Sequence, residues 1–289
     1  MKHLTKMQSK MRKEMCKESE HDYRSYDAIA NSDIKSYVSG GFDGYLYNKL
    51  NFTDSDAMMR GRIIHSHLLD EEVSYEVIKG ATFKTWSGVK ALAVKAEYAK
   101  HGKDVILESD TPMLSMIENN ITNHPLTNAL IFDKTRQTEM SVYWDRKFDK
   151  DDIQFKGKLD VITEVDLTPF NTKDITFRQG ITINDVKTTR DIEGFAWQAK
   201  KGRYFEQLAF YGSGYEEATG NKVDNYTITV ISTQPPYNVR VFVLPISQIA
   251  EAYANNIHYG YKLYCDKQKH KLGEATSLTY PEPQEFYYG

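Results

Sequence analysis

The feature that most constrains this chain is a change of hydrophobic period near Asn128. Before it, apolar residues recur at three- and four-residue intervals; after it, they alternate with polar ones. The first period belongs to helices with one buried face, the second to strands with one face against a core. Helices followed by a meander of strands imply an α/β fold in which a sheet carries the middle of the chain and helices cover it.

Asn31-Ser32-Asp33 offers an N-cap for a short helix through Tyr37, which Gly40-Gly41 would end by supplying a left-handed cap. Met59, Ile63, Ile64 and Leu68 fall on one face of a helix over 58–69, with His65 one position from that stripe. Further helices are predicted over 89–100 and 113–121, the latter opened by Asp110-Thr111-Pro112. Strands follow over 139–144, 155–162 and 180–187, then a helix over 204–218, strands over 226–232 and 240–244, and a helix over 246–267. Residues 1–22 lack a sustained apolar stripe and read as a mobile or weakly helical arm ahead of a single domain over 23–289. The expected core is a central mixed sheet of about four or five strands flanked by helices, with an N-terminal helical layer.

Composition narrows the chemistry. No window approaches the roughly 18 apolar residues of a membrane span, and no apolar segment of a signal peptide follows the start, so a cytoplasmic protein is expected. The only cysteines, Cys16 and Cys265, form no CxxC pair, which leaves oxygen and imidazole to hold any metal. A net charge of -3 excludes a protein that coats nucleic acid by bulk charge, while allowing a local basic groove.

Against that background, Asp160, Asp185 and Lys187 stand out, since charged residues are rarely placed in runs that read as buried strands without a partner or a metal. Asp185 and Lys187 are two apart on one strand and share a face. If the two strands pair, Asp160 joins them. Two carboxylates with the Val186 carbonyl make a hard oxygen site suited to Mg²⁺ or Mn²⁺, and Lys187 would offset negative charge growing on a phosphorus centre.

With those residues in place, the chain resembles the PD-(D/E)xK nucleases, and within them the RecE-like exonucleases of phages and prophages (exonuclease VIII type). The resemblance runs from about Asn31 to Lys267. It rests on an ordered series: Gly61-Arg62-Ile63-Ile64-His65 with Leu68-Leu69, Glu139-Met140-Ser141-Val142, Lys156-Gly157-Lys158-Leu159-Asp160, Asp185-Val186-Lys187-Thr188-Thr189, and Gln207 with Tyr211. It implies a restriction-endonuclease-like core, with His65, Asp160 and Asp185 as metal ligands and Lys187 as catalytic. Gln207 and Tyr211, spaced i, i+4 on one helix face, would position DNA or the attacking water. Leu159 stands where the motif name has proline, and the cysteines of the iron–sulfur branch are missing. The implied activity is metal-dependent 5′ to 3′ digestion of one strand from duplex DNA ends. The single strands would feed a strand-annealing recombinase, and a homo-oligomer enclosing DNA would fit the family.

Several residues keep two readings on sequence alone. Glu139 either extends the metal network or faces solvent. Lys200, Lys201 and Arg203, and likewise Arg190, are either DNA-phosphate contacts or solvated charge. His67 is set apart from His65 by about 200° around a helix and is read as surface or core filler. The same residues also fit an endonuclease, a DNA-end binding recombination module without catalysis, or a hydrolase of small phosphate esters.

Overall fold

The computed structural model describes residues 12–51, 53–148 and 151–271. Residues 1–11 of the expected arm and 272–289 of the expected domain lie outside these. In chain order the elements are β1 (Glu14–Cys16), α1 (Glu20–Ser25), β2 (Ile29–Ala30), α2 (Asn31–Leu50), α3 (Asp56–Leu69), β3 (Tyr75–Ile78), α4 (Val89–Ala99), β4 (Asp104–Leu107), α5 (Thr111–Asn123) and α6 (Pro125–Phe132). There follow β5 (Gln137–Phe148), β6 (Asp151–Thr163), β7 (Ile181–Thr189), α7 (Phe195–Lys201), α8 (Tyr204–Thr219), β8 (Val223–Ser232), β9 (Val239–Val243) and α9 (Ile246–Lys271).

The mixed α/β architecture is the one the periodicity implies, with a larger sheet. Seven strands among the described residues join in the order β1-β5-β6-β7-β8-β9, and β2 adds to β6. The pairs β5–β6, β6–β7 and β8–β9 are antiparallel. β7 and β8 are parallel, so α7 and α8 form the crossover that a parallel pair requires. β3 and β4 make a separate parallel pair. Of the segment 1–22 expected as an arm, the described part instead supplies β1, paired to β5, and the start of α1. Arg12 holds it there, its guanidinium 3.9 Å from the centre of the Tyr143 ring and paired with Glu18 at 3.2 Å.

Two apolar layers bury the faces of the sheet. One collects Ile34 and Phe42 of α2, Leu208, Phe210 and Tyr215 of α8 and Leu263 of α9 with Trp144, Phe155, Leu159, Ile183 and Ile228 of the strands. The other collects Ile63, Ile64 and Leu68 of α3 and Leu114, Ile117 and Ile121 of α5 with Val161, Val186 and Ile231. α3 begins where Ser55 accepts a hydrogen bond from the Met58 backbone, a cap that frees its Ile63-Ile64 stripe to pack inward. Gly40 and Gly41 do not end α2: the helix kinks at them, Gly41 with φ 63°, and resumes toward Leu50. The left-handed angle read from the sequence is present, but burial of Phe42 and Tyr45 beyond it keeps the chain helical.

Gly157 of β6 has a different task. A Cβ there would stand 2.7 Å from Cδ1 of Tyr211, so the missing side chain is what lets the α8 ring lie flat on the strand. Gly157→Ala is expected to cost about 1–3 kcal/mol through overpacking, measured by urea denaturation, and to reduce activity as well because Tyr211 must move.

Candidate active site

Three strands meet at one defect. In β5–β6, Thr138 pairs with Val161 and Met140 with Leu159, which leaves Glu139 opposite Asp160. Glu139 adopts φ 55°, a left-handed conformation that a residue with a side chain holds only when its surroundings enforce it. In β6–β7, pairing runs through Thr163–Thr182 and Ile162–Ile183 to Val161–Asn184 and stops. The next residues of the two strands are Asp160 and Asp185. Beyond that point the strands diverge, and the Val186 backbone N–H, deprived of a ladder partner, donates to Oδ2 of Asp160 at 2.7 Å.

The side chains around this opening carry most of the residues singled out in the sequence. His65 of α3 donates Nε2–H to the Val186 carbonyl at 2.8 Å, and its Nδ1 is 3.9 Å from Oδ2 of Asp160. Val186, expected as a backbone metal ligand, thus orients His65 in this arrangement. Asp185 is 2% exposed and pairs through Oδ2 with the Lys187 ammonium at 2.5 Å, an ion pair whose angles do not make a directed hydrogen bond. Its Oδ1 accepts from Nε2 of Gln207 at 3.3 Å, and the same Gln207 nitrogen donates to Tyr211 Oη at 3.2 Å. The i, i+4 pair on α8 is thus joined to Asp185 through Gln207.

Glu139 lies beside two of the other candidate ligands. Ligand atoms of His65, Glu139 and Asp160 lie within 4.8 Å of one another. Opposite donors about 2.1 Å from Mg²⁺ stand about 4.2 Å apart, so this set closes on a small hard cation with small side-chain shifts. Lys158, two residues before Asp160, pairs with Glu139 at 3.0 Å and with Glu20 of α1 at 3.0 Å. Its strand position could have drawn attention to it, because it shares a face with Asp160. Tyr204, three residues before Gln207 on the same helical face, was also overlooked; its ring centre is 5.4 Å from the Lys187 ammonium.

Burial and the neighbouring Asp185 charge push the Asp160 carboxyl up to about 6, against the opposing pull of His65 and Lys187. Burial alone would lower the Lys187 ammonium, but the Asp185 and Asp160 carboxylates outweigh it and hold it above the ordinary lysine value. Lys187 is accordingly a cation, suited to meeting negative charge rather than to taking a proton. Burial raises the Tyr211 phenol well above its usual value, so it stays protonated.

The basic residues divide. Arg190, Lys200 and Lys201 are exposed, Lys201 lying 5.1 Å from the centre of the exposed Trp197 ring. Arg203, read from sequence with them, is turned inward: it donates to Oδ1 of Asn256 at 3.1 Å, pairs with Glu206 at 3.4 Å and stands at the N-cap position of α8. Through Nη2 the guanidinium joins α8 to α9, in place of the exposure that Lys200 and Lys201 keep. His67 bonds Tyr75 at 3.1 Å and Glu118 at 3.2 Å, away from the site.

The sheet, its flanking helices and the strand-borne acidic residues with Lys187 define the class of PD-(D/E)xK nucleases. Within it, the chain belongs to the family described as "PDDEXK-like domain of unknown function (DUF3799)", whose pattern matches residues 44–271. Among solved structures, a "Putative exonuclease" from Eubacterium rectale is similar in fold, with a TM-score of 0.53 and 14% identity over 90% of this chain and 88% of that one. SSO0001 aligns with 13% identity over 82% of this chain and 81% of that one, at a TM-score of 0.37. No curated protein matches the chain in sequence.

The raised carboxyl of Asp160 has a measurable consequence. Its cost to the fold builds up as pH rises from the unfolded value near 4 to the folded value of about 6, and is fully present above that. In EDTA at pH 8, Asp160→Asn should therefore be more stable than wild type by on the order of 1–2 kcal/mol, the advantage shrinking as pH falls from 6 toward 4. Thermal melts across pH test this. Added Mg²⁺ or Mn²⁺ should raise the wild-type melting temperature and leave that of Asp160→Asn nearly unchanged.

Proposed function

We propose that this protein is a divalent-metal-dependent exodeoxyribonuclease acting on the ends of duplex DNA. The observation that carries the reading is the opening between β6 and β7, where ligand atoms of Asp160, Glu139 and His65 lie within 4.8 Å of one another and Asp185, next along β7, is paired with a charged Lys187. Membership of a PDDEXK-like family supports it, as does the fold shared with a protein described as an exonuclease.

Asp160, Glu139, His65 and Asp185 are the residues that would hold the cation, Mg²⁺ or Mn²⁺ by their hard donors. When bound, that ion neutralises phosphate charge and acidifies the attacking water. The chain's own residues do the rest. Lys187 sets a fixed positive charge where the pentacoordinate phosphorus gains negative charge. Gln207 holds Oδ1 of Asp185 and carries Tyr211 with it, while Lys187 pairs with Oδ2. Lys158 steers Glu139 inward. Arg190, Lys200 and Lys201, which are exposed, would contact phosphates of the substrate.

The finer reading follows the RecE-like order of motifs: 5′ to 3′ digestion, single-stranded product passed to an annealing recombinase, and a homo-oligomer surrounding the duplex. No helix among the described residues is long and apolar enough to cross a membrane, which fits a site of action in the cytoplasm of a bacterial or phage-infected cell.

Digestion of linear and covalently closed circular duplex with Mg²⁺, using 5′- or 3′-labelled ends, tests the proposal. Linear DNA alone should be degraded, with early release of a 5′ label, and Lys187→Ala should lose about 100-fold or more in rate. Cutting of closed circles would replace the exonuclease with an endonuclease; metal-independent binding without cleavage by wild type would sink catalysis altogether.

A further inference from the structure

The lysine at position 35 lies far from every motif residue in the sequence, yet α2 delivers it to the site. Asn31 and Lys35 are i, i+4 on one helical face. Asn31 is buried and its Oδ1 accepts from Nδ2 of Asn256 at 2.8 Å; that same nitrogen donates to the Glu206 carbonyl at 2.9 Å, and Asn256 Oδ1 accepts from Arg203 at 3.1 Å. This network pins the first turn of α2 against α8 and α9. One turn on, the Lys35 ammonium is 4.9 Å from the centre of the Tyr204 ring, the ring that also lies 5.4 Å from the Lys187 ammonium. Tyr204 is itself fixed by stacking on the buried Phe195, with ring centres 5.8 Å apart.

Lys35 is half-buried, and no ion pair or hydrogen bond of its side chain is found among the described residues. The nearby acids are already engaged: Asp185 with Lys187 at 2.5 Å and Glu206 with Arg203 at 3.4 Å. Burial and the nearby Lys187 charge hold its ammonium below the ordinary lysine value, the mark of a cation short of an anion. An ammonium taken out of water without a counter-charge is costly, and a ligand that brings the charge removes the cost.

We propose that Lys35 and Tyr204 form a phosphate seat next to the catalytic centre, in which Lys35 binds the backbone phosphate adjoining the scissile one. The inference rests on the DNA-cleaving reading of the site. Lys187 meets the reacting phosphate while the shared tyrosine ring sets the spacing to Lys35, so a single strand is gripped at two consecutive phosphates. Lys35 is a binding residue with no proton to move.

The test compares wild type, Lys35→Gln and Lys35→Arg in binding an end-labelled duplex in EDTA, across salt concentrations, using duplexes that carry one neutral methylphosphonate linkage at successive positions from the end. Lys35→Gln should weaken binding about tenfold and reduce the salt slope by about one, with Lys35→Arg close to wild type. At one linkage, neutralising the phosphate should weaken wild type and leave Lys35→Gln unaffected, the signature of a direct pair. If Lys35→Gln matches wild type in affinity and salt slope, or loses equally with every duplex, the seat is refuted while the nuclease reading stands. If wild type neither binds nor cuts DNA, both fall.

Discussion

The hydrogen bond from the Val186 backbone to Asp160 is the interaction on which the site depends. Two antiparallel strands that part must leave backbone donors without partners, and a buried unpaired N–H is costly. Here a carboxylate takes the place of the missing ladder carbonyl, at 2.7 Å. The strands separate without an orphaned donor, and the residue that satisfies the donor is itself a proposed metal ligand. The same bond fixes the Val186 peptide, whose carbonyl orients His65. A single substitution of backbone by side chain thereby opens the sheet, aims the imidazole and keeps Asp160 within reach of Asp185.

Crowding acids at a partly buried point raises a second constraint, which the fold meets by setting a basic side chain against each one. Asp185 has Lys187, Glu139 has Lys158, and Asp160 faces His65. Such pairs hold the site together at modest net stability, because desolvation consumes much of the attraction. They also set what a metal ion must displace. Glu139 bears conformational strain in its left-handed backbone, and its lysine is tied through Glu20 to the N-terminal α1. The segment that sequence patterning left as an arm is thus joined to the site by two ion pairs in series.

What could be read from the sequence was what repeats locally. The stripe of α3, the alternation of β6 and β7 and the i, i+4 pair of α8 are periodic, so they predicted both the elements and the sides their residues face. Shorter elements escaped: β2 has two residues and β3 and β4 four each, too few for a period to register, and α6 follows α5 across His124-Pro125 with little break. Glu139 stayed open because its inward turn comes from a φ angle and not from a pattern. Arg203 looked like its neighbours Lys200 and Lys201, and only the approach of Asn256 from α9 distinguishes it. Lys35 had no local signal at all, since its surroundings are assembled from α2, α7 and α8.

The layers of the fold explain why the site needs that long-range assembly. Asp185 follows Ile183 on the face of β7 covered by α2, α8 and α9, whereas Val186 belongs to the opposite layer with α3. In an intact sheet, His65 of α3 and Gln207 of α8 would be separated by the strands between them. The alternation of β6 changes phase at the same place: Phe155 and Leu159 pack with the α8 layer, while Val161 packs with the α3 layer. The parting of β6 and β7 is therefore a window through the sheet, through which one layer supplies the imidazole and the other the amide, the phenol rings and the surplus lysine. Chemistry held on strands is fixed by register; the groups that would grip a substrate come from helices on either side. Relatives that keep the strand-borne acids and Lys187 are thus free to differ in what they bind, because that choice is made by elements the window merely joins.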